Sequence, residues 1–297
     1  MSQVAVIVVT YNSADSIGQL LESLPAGLAG TDSRVVVVDN GSTDQTPDLV
    51  AARPEVRLVR QANLGYSAGI NAGIGSLPQA DVYIILNPDL VVRPGFAEPL
   101  VDALAGRVGI VVPKVLDDQG LIQRSLRREP TVWRALGLGR TGHPALSEYV
   151  LEDSAYERPG DFDWALGAAM AVSRECLDSV GDWDESFFLY SEETDFCLRA
   201  RDRGWATRYL PDSVVVHSGG GSGRSDATHT MQIVNRVRLY ARRNPGPRAW
   251  AYWALTILSE LSWLGRGHPQ SWASVKGLLL PSHRPAVLGC SDSILPR

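Results

Sequence analysis

A carboxylate at position 89 follows what the sequence predicts to be a buried strand. Residues 83–86 read Tyr-Ile-Ile-Leu, a run typical of a strand covered on both faces. Asn87-Pro88 then ends the strand, because proline has no N–H and favours extended geometry in the residue before it. Ligands of open α/β sheets bind beyond the carboxyl ends of the strands. Asp89 is therefore a candidate ligand or cation contact, with a turn cap as the alternative.

Three acids lie within four residues at Glu192, Glu193 and Asp195. Ser191 before them is an expected N-cap, and the helix that it begins is expected to run to about Arg203. Acids in the first turn of a helix complement its dipole, which is the structural alternative for each of the three. Three together, beside a large apolar run, exceed what the dipole requires. The cluster is therefore a candidate site.

His217 ends the last predicted strand, residues 214–217, and a Gly/Ser-rich run follows it directly. A histidine at a strand end is more often structural than a ligand, and both roles stay open. The small residues at 218–223 predict a mobile loop that can close over a ligand. Arg224 at the end of this loop is a candidate anion contact.

The scaffold that would bring these residues together is predicted by alternating apolar and helical stretches. Five runs are expected to be strands: residues 4–9, 35–38, 56–59, 83–86 and 108–112. Strands that alternate with helices indicate a parallel, doubly wound α/β sheet, whose strands end at one edge. Polar residues follow the strands or begin the helices: Thr10, Asn12, Asp39, Asn63, Asn71 and Asp89. A nucleotide-binding edge explains this arrangement.

Two common phosphate-binding motifs do not account for that edge. The sequence has no P-loop pattern. Residues 137–142 match Gly-x-Gly-x-x-Gly, but they lack a preceding strand and Pro144 follows at once. The strand–turn–helix context of a dinucleotide fingerprint is therefore missing.

Composition narrows the class of protein. The 297 residues, 44% of them hydrophobic and 21% charged, suffice for one large or two smaller globular domains. A formal net charge of −5 argues against nucleic acid as a partner. Cys176, Cys197 and Cys290 lack metal-ligand spacing and fit a reducing, cytoplasmic compartment. The first apolar run is too short for a signal peptide or a membrane span.

The C-terminal part combines arginines with an aromatic stretch. Its apolar residues are expected on one helical face: Trp250, Trp253, Ile257, Leu261 and Leu264. The stretch is too short for a membrane span, and Glu260 lies near its centre. Two roles stay open: a helix that packs on the core, or an interfacial helix with a basic flank on an anionic membrane.

Six motifs, in their order and spacing, make the chain resemble the family-2 inverting glycosyltransferases of the GT-A fold. The likeness is greatest to their bacterial, rhamnosyltransferase-like branch. The motifs occupy residues 8–12, 38–44, 63–65, 86–89 and 192–195, together with His217. The resemblance implies a mostly parallel, doubly wound nucleotide-binding sheet flanked by helices. It places a GT-A domain at residues 1–224, with a nucleotide-sugar half (about 1–112) and an acceptor half (about 113–224), and a helical extension at 225–297.

The resemblance also implies roles for individual residues. Contacts to the nucleotide sugar would come from Thr10, Tyr11, Asn12, Asp39, Asn40, Asn63, Gly65, Asn71, Asn87 and Arg224. Asp89 and His217 would bind Mn²⁺ or Mg²⁺ at the donor diphosphate. The acceptor site would include Trp164, Gly167 and Asp182. Glu193 would be the general base for direct displacement at the anomeric carbon, with Glu192 and Asp195 as the other candidates.

Two positions depart from the family pattern. Asn87 replaces an aspartate of the Asp-x-Asp metal motif, which lowers the charge of the site and its expected metal affinity. Glu193 replaces an aspartate, so the base is one methylene longer. The identity of the working base among the three acids is therefore open.

The sequence thus predicts a metal-dependent inverting glycosyltransferase. Its donor would be a dTDP- or UDP-sugar, with dTDP-L-rhamnose first, and its acceptor a hydroxyl of a glycan or lipid-linked glycan. The alternatives are an inactive nucleotide-sugar-binding or scaffold protein and a sugar nucleotidyltransferase. The latter would carry a Gly-rich, basic first loop where this chain has Thr10-Tyr11-Asn12. We expect a cytoplasmic protein, peripheral at the inner face of the cell membrane if its C-terminal helix is interfacial.

Overall fold

Strands and helices alternate in the first part of the chain, as the apolar runs predict. The computed structural model describes residues 2–218 and 225–288. Up to residue 116 its elements are β1 (Gln3–Thr10), α1 (Ile17–Gly27), β2 (Asp32–Asp39), α2 (Thr46–Ala51), β3 (Val56–Arg60), α3 (Tyr66–Ser76), β4 (Val82–Leu86), β5 (Leu90–Val92), α4 (Ala97–Ala103) and β6 (Val108–Leu116). Strand β4 is buried at every position, as expected for an apolar strand with helices on both sides.

The elements after residue 116 complete the fold. They are β7 (Leu126–Arg127), β8 (Gly160–Phe162), β9 (Trp164–Ala165), β10 (Ala169–Ser173), α5 (Arg174–Val180), α6 (Glu192–Asp202), β11 (Ala206–His217), α7 (Asp226–Arg243), α8 (Pro247–Gly265) and α9 (Gln270–Leu279). Helix α6 confirms the helix predicted to begin with the acid cluster. Residues 160–173 contain three separate strands, β8, β9 and β10. Between β8 and β9, Asp163 binds Arg201 at 2.9 Å.

The main sheet has a mostly parallel core. Within the described residues its strand order is β3-β2-β1-β4-β10-β6-β11-β5, and β8 pairs with β11. The strands β3, β2, β1 and β4 are parallel to one another, as are β6 and β11. Strands β10 and β5 run antiparallel to their neighbours. The predicted α/β class is confirmed, and β1, β2 and β4 end at one edge.

The sheet separates two apolar layers, because successive side chains of a strand point to opposite faces. Ile7 and Val9 of β1 pack on the face covered by α3, α5 and α6. Val6 and Val8 pack on the other face, covered by α1 and α4. This rigid sheet fixes the positions at which the polar turns emerge.

The C-terminal helices form a third apolar cluster with parts of the preceding chain. Val132 and residues 188–190 pack against side chains of α7 and α8. In the described part of the chain, none of the helices combines enough length and apolar character to cross a membrane.

The apolar residues predicted on one face of α8 differ in exposure. Trp253 and Ile257 are half-buried and pack on the third cluster, whereas Trp250 and Leu261 are exposed. The side that α8 buries is partly polar, because Glu260 turns inward to bind His229 of α7 at 3.0 Å.

Candidate active site

Asp89 and His217 meet beyond the ends of β4 and β11. Antiparallel pairing of β11 with β5 places His217 opposite Leu90, so that its Nε2 lies 3.3 Å from Oδ1 of Asp89. Gln123 orients the imidazole, since its Oε1 lies 3.1 Å from Nδ1 and its Nε2 donates to the His217 carbonyl at 2.8 Å. Metal-binding histidines are commonly oriented through their second ring nitrogen in this way.

This pair fits a divalent cation that takes some of its ligands from the protein and the rest from a substrate. Among the described residues, no three His, Cys, Asp or Glu side chains are grouped as a complete ligand set. A cation held by Asp89 and His217 would therefore take its remaining ligands from diphosphate oxygens and water. Mg²⁺ bound through one or two carboxylates plus substrate phosphates is a common arrangement of this kind, and the imidazole also suits Mn²⁺.

Asn87 is linked to a residue that the sequence did not single out. The Tyr66 hydroxyl, at the start of α3, donates to Oδ1 of Asn87 at 2.8 Å. Burial and the nearby Glu192, Glu193 and Asp89 carboxylates raise the pKa of Tyr66 well above its usual value. Tyr66 is therefore a neutral donor that lies within electrostatic reach of both the predicted cation ligand and the acid cluster.

The turns after β1 and β2 hold each other in place; we call residues 10–13 and 39–44 the paired turns. Asn12, in a left-handed conformation (φ 51°), accepts the Thr43 N–H at 2.8 Å and donates its own N–H to Ser42 Oγ at 2.8 Å. The buried Asp39 carboxylate accepts the Ser42 N–H at 3.2 Å and lies 3.7 Å from Nε of Arg60. Asn12 and Asp39 thus help to build the edge itself.

Other residues predicted for the nucleotide sugar surround these turns. Tyr11 exposes its ring, and the buried Thr10 hydroxyl has no hydrogen-bond partner within the described residues. Asn40 donates to the Gly65 carbonyl at 3.0 Å, which joins the paired turns to the start of α3. Asn63 is exposed and accepts the Gly65 N–H at 3.3 Å. Arg224 lies outside the described residues, as does the run 219–223.

Asn71 has contacts of another kind. Its Nδ2 donates to the Trp183 carbonyl at 3.0 Å and to Glu185 at 2.9 Å, and its Oδ1 accepts the Trp183 N–H at 3.0 Å. These bonds tie α3 to the segment before α6. They give Asn71 a structural role, and its contact with the nucleotide sugar stays a prediction.

Glu192 and Glu193 begin α6 as neighbouring carboxylates. In each, Oε2 is buried without a hydrogen-bond partner in the part of the chain that the structure describes. Burial, together with the Glu193 charge, raises the pKa of Glu192 well above its ordinary value. Burial also raises the pKa of Glu193, opposed by backbone N–H groups and by Arg127. A carboxylate with a raised pKa and an open oxygen can accept a proton from a hydroxyl.

The third acid of the cluster is already paired. Asp195 binds Nε of Arg199 at 2.6 Å, one turn along α6. Burial raises the pKa of Asp195, and Arg199 opposes the rise. This ion pair makes Asp195 the least suited of the three to take a proton from a substrate.

The residues predicted for the acceptor have different positions relative to the acids. Gly167 lies directly against Glu193, because a Cβ at position 167 would come within 3.2 Å of the Glu193 Cβ. Trp164 is buried and donates from Nε1 to the Arg128 carbonyl at 3.0 Å. Asp182 is exposed, and its backbone carbonyl accepts from Arg199 at 3.0 Å.

Arg127 is a second residue that sequence analysis missed. Its buried guanidinium lies 4.1 Å from the centre of the Tyr149 ring and donates to the Leu126 carbonyl at 2.9 Å. Burial lowers the pKa of Arg127, and the charge of Glu193 is among those that favour its cationic form. The available signal in the sequence was a charged residue next to the apolar Leu126. The pairing of Arg127 with Trp164, between β7 and β9, is seen only in the structure.

The loop before the acids, residues 186–191, has unusual backbone geometry, and we call it the 186–191 loop. Phe188, Tyr190 and Ser191 have φ values of 54°, 69° and 74°. The predicted N-cap at Ser191 is wrong, since a capping residue is extended and Ser191 makes no side-chain cap bond. Phe188 accepts the Tyr66 N–H at 2.6 Å, and a Cβ at Gly65 would lie 2.5 Å from the Phe188 carbonyl oxygen. Only glycine fits so close an approach at a φ of 100°.

Sequence comparison agrees with this geometry. Residues 5–148 match the model of the family described as Glycosyl transferase family 2. The chain is 34% identical over 245 residues to the N-acetylglucosaminyl-diphospho-decaprenol L-rhamnosyltransferase of Mycobacterium tuberculosis, covering 75% of this chain and 79% of that protein. It is 23% identical over 263 residues to the rhamnosyltransferase WbbL of Escherichia coli (strain K12), covering 81% and 96%.

Solved structures agree in fold. The mannosyltransferase PcManGT from Pyrobaculum calidifontis, in complex with GDP-Man and Mn²⁺, matches with a TM-score of 0.58 and 19% identity over 98% of this chain and 86% of that one. GalNAc-T7 with UDP, GalNAc and Mn²⁺ matches with a TM-score of 0.59 and 17% identity, covering 92% and 58%.

Fold and site together define an inverting glycosyltransferase with the GT-A fold. More narrowly, the chain belongs to glycosyl transferase family 2.

Proposed function

We propose that this chain is a metal-dependent rhamnosyltransferase that moves L-rhamnose from dTDP-L-rhamnose to a hydroxyl of a lipid-linked glycan. The observation that carries the proposal is the position of Tyr66. Its hydroxyl binds Asn87 and lies near Asp89, Glu192 and Glu193. The proposed cation ligand Asp89 and the open carboxylates therefore share one site. The choice of sugar and acceptor is supported by the names of the similar mycobacterial and E. coli proteins.

The residues of the site divide the reaction between them. The paired turns and the exposed Tyr11 ring would bind the nucleotide, with Asp89 and His217 at the diphosphate. A cation bound there would offset the charge of the departing nucleoside diphosphate. Glu193 would take the acceptor proton as the acceptor oxygen bonds to the anomeric carbon, and the bond from that carbon to the diphosphate oxygen breaks. The electron pair leaves with the diphosphate, and configuration inverts.

Two rival functions are less well supported. An inactive binding or scaffold protein would not need both the Asp89–His217 pair and a buried Glu193 oxygen that has no partner among the described residues. A sugar nucleotidyltransferase does not fit membership of this family. Incubation with a nucleotide sugar alone separates them, because slow hydrolysis marks a transferase and pyrophosphate-dependent NTP formation marks a nucleotidyltransferase.

The donor can be identified by thermal unfolding with Mn²⁺ and a panel of dTDP-, UDP- and GDP-sugars. A ligand at a hundredfold excess over its Kd stabilises the fold by about 2.7 kcal/mol. We expect dTDP-L-rhamnose to give the largest rise in Tm, and to release dTDP when a polyprenyl-diphosphate-linked GlcNAc acceptor is added. A larger rise with a UDP-sugar, followed by its transfer, would contradict the choice of rhamnose but not the class of reaction.

The partner that we propose for the C-terminal helices is an anionic lipid surface. The outer side of α8 exposes Trp250, Leu258 and Leu261 at 52%, 56% and 41%. On α9, Trp272 and Leu279 are exposed as well. Exposed apolar residues in such a row mark interaction sites more often than scattered ones do.

Charge favours lipid over a second protein copy. Residues 225–297 contain nine Arg or Lys and three Asp or Glu, a formal net charge of +6, whereas the remaining 19 basic and 30 acidic residues give −11. Four of these arginines face the catalytic part, at Glu148, Ser186, Asp184 and Asp202. Arg248 and Arg266 stay exposed at the two ends of α8, where they can contact anionic headgroups.

Vesicle flotation tests this partner. We expect binding to vesicles rich in phosphatidylglycerol at low salt and weaker binding at high salt, because charge attraction is screened over about 10 Å at 0.1 M. The double variant Leu258→Glu/Leu261→Glu should lose binding, and Leu49→Glu, an exposed position on α2, should not. Equal binding to neutral vesicles would contradict the charge argument. A dimer that the double variant dissociates would identify the face as a self-association surface instead.

A further inference from the structure

The left-handed residues of the 186–191 loop need an external support. Phe188, Tyr190 and Ser191 have φ values that few residues other than glycine adopt. Such conformations persist only where the surrounding structure holds them. The loop leads directly into Glu192 and Glu193, so whatever holds it also sets the start of α6.

One amide of α7 binds three carbonyls of this region. Asn235 is completely buried in the middle of the helix. The two hydrogens of its Nδ2 are shared among the carbonyl oxygens of Phe187, Leu189 and Tyr190, which lie 2.7, 2.9 and 3.2 Å away, so one bond is bifurcated. An apolar side chain could fill the same volume, but it would leave these carbonyls without that donor, which is costly in a buried setting.

Arg238, one turn further along α7, fixes the direction of this amide. Its Nη1 donates to Oδ1 of Asn235 at 2.9 Å and to the Ser186 carbonyl at 2.9 Å. Because Oδ1 accepts from the arginine, the NH₂ group of Asn235 must face the loop. The two side chains together therefore bind carbonyls from Ser186 to Tyr190.

The opposite side of the loop is held by α3. The Tyr66 N–H binds the Phe188 carbonyl at 2.6 Å. The loop thus lies between the residues that begin α3 and the C-terminal helix α7. Removal of either support is expected to release it.

We infer that Asn235 and Arg238 are positioning residues for the catalytic carboxylate. They hold the 186–191 loop so that α6 begins at Glu192 and Glu193 lies at the site. The inference rests on the proposed role of Glu193 as the base, and it makes the C-terminal helices a working part of the transferase.

The test compares Asn235→Asp with a control on the same helix. Aspartate keeps the size of the side chain but replaces the NH₂ donors with acceptors that face three carbonyls. The control is Arg243→Ala, which removes the ion pair of Arg243 with Asp202 at the far end of α6 and leaves the loop contacts intact. We expect Asn235→Asp to lower kcat by about 10²-fold, a loss typical of a misplaced catalytic group. The donor KM should stay within threefold, and the control should keep kcat within threefold.

A graded pair of variants guards against a general loss of folding. Arg238→Lys can still donate to Asn235 and should lose less kcat than Arg238→Met. If Asn235→Asp and Arg243→Ala lower kcat equally, or if the donor KM rises as much as kcat falls, the helix has only a structural role and the inference is wrong.

Hydrogen exchange supplies a readout that does not depend on activity. Amides of residues 187–191 should exchange faster in Asn235→Asp, whereas those of the paired turns should not change. Unchanged exchange at 187–191 would overturn the inference even if activity is lost. If wild type transfers no sugar under any condition, the proposed function fails while the exchange result still decides whether Asn235 holds the loop.

Discussion

The paired turns and the 186–191 loop are linked through Gly65, yet they differ in how far along the chain their contacts reach. The paired turns are held mainly by one another, as in the bonds of Asn12 with Thr43 and of Asp39 with Ser42. The 186–191 loop is held from α3 and α7, elements far from it in the chain. Most polar groups of the paired turns are bonded within these turns, although the buried Thr10 hydroxyl has no partner among the described residues. The 186–191 loop contains three left-handed residues other than glycine, against one, Asn12, in the paired turns. It leads to carboxylate oxygens that have no partner among the described residues, so backbone strain and unpaired oxygens lie next to the proposed chemistry.

The largest effect is expected from loss of the proposed cation contact, which lies outside both the paired turns and the 186–191 loop. EDTA should abolish transfer and Mn²⁺ should restore it, because Asp89 and His217 are the proposed protein ligands. Asp89→Ala should lose activity that Mn²⁺ does not restore. Asp118→Ala, which removes an exposed carboxylate bonded to Ser218, is the control and should respond to Mn²⁺ as wild type does. Full activity in EDTA would refute the metal assignment.

Glu193→Gln tests the carboxylate to which the 186–191 loop leads. General-base assistance is commonly worth about 10²–10⁴-fold, so kcat should fall by that amount. Donor binding, measured by thermal shift, should stay near wild type, because the paired turns are untouched. Glu192→Gln should cost much less in kcat. A reversal of the two losses would assign the base to Glu192, and near-normal activity in both would reduce the acids to a helix cap.

Gly65→Ala breaks the junction between the two regions. The new Cβ would lie 2.5 Å from the Phe188 carbonyl oxygen at a φ of 100°, so we expect a loss of more than about 1 kcal/mol in the free energy of unfolding. Gly75→Ala is the matched control on α3, because no atom of the described residues beyond its own helix lies within 4 Å of a Cβ built there. It should stabilise the protein by up to about 1 kcal/mol. Equal Tm values for the two variants would show that the junction is not tight.

The smallest expected effect is on stability as a function of pH. The pKa of Glu192 is raised by burial and by the charge of Glu193. The same site contains Tyr66, and Arg127 acts on Glu193. The folded protein then holds a proton that the unfolded chain releases above the ordinary value of 4.5. Stability therefore falls as pH rises from about 4.5 towards the raised pKa. Glu192→Gln removes this loss, so its Tm should exceed that of wild type at pH 7 and equal it near pH 4. A lower Tm at pH 7 would contradict the raised pKa.

The same difference in how far contacts reach along the chain explains which features the sequence could predict. The strands and the helix of residues 192–202 follow from local patterns, and the polar turns from residue types such as Asn12 and Asp39. Tyr66, Arg127 and Asn235 gain their contacts only when distant elements pack, so no local pattern marks them. Ser191 has the residue type of an N-cap, but contacts to its loop from α3 and α7 impose another backbone conformation.

The sequence left open whether α8 packs on the core or lies on a membrane. In the structure Leu261 of its apolar face is exposed, whereas Glu260 is buried against His229. The polar partner of Glu260 is on α7, which the periodicity of α8 alone does not reveal. Which face of an amphipathic helix is buried depends on what the neighbouring helix offers.

The position of β5 has a consequence for synthesis of the chain. This three-residue strand, directly after Asp89, pairs with β11, and His217 is made 128 residues after Asp89. At about 5–20 residues per second, roughly 6–25 s separate the two during translation. So short an unpaired edge offers little to a wrong partner in that interval. Asn235 emerges later still, so a ribosome-bound chain can complete the paired turns well before its 186–191 loop is held.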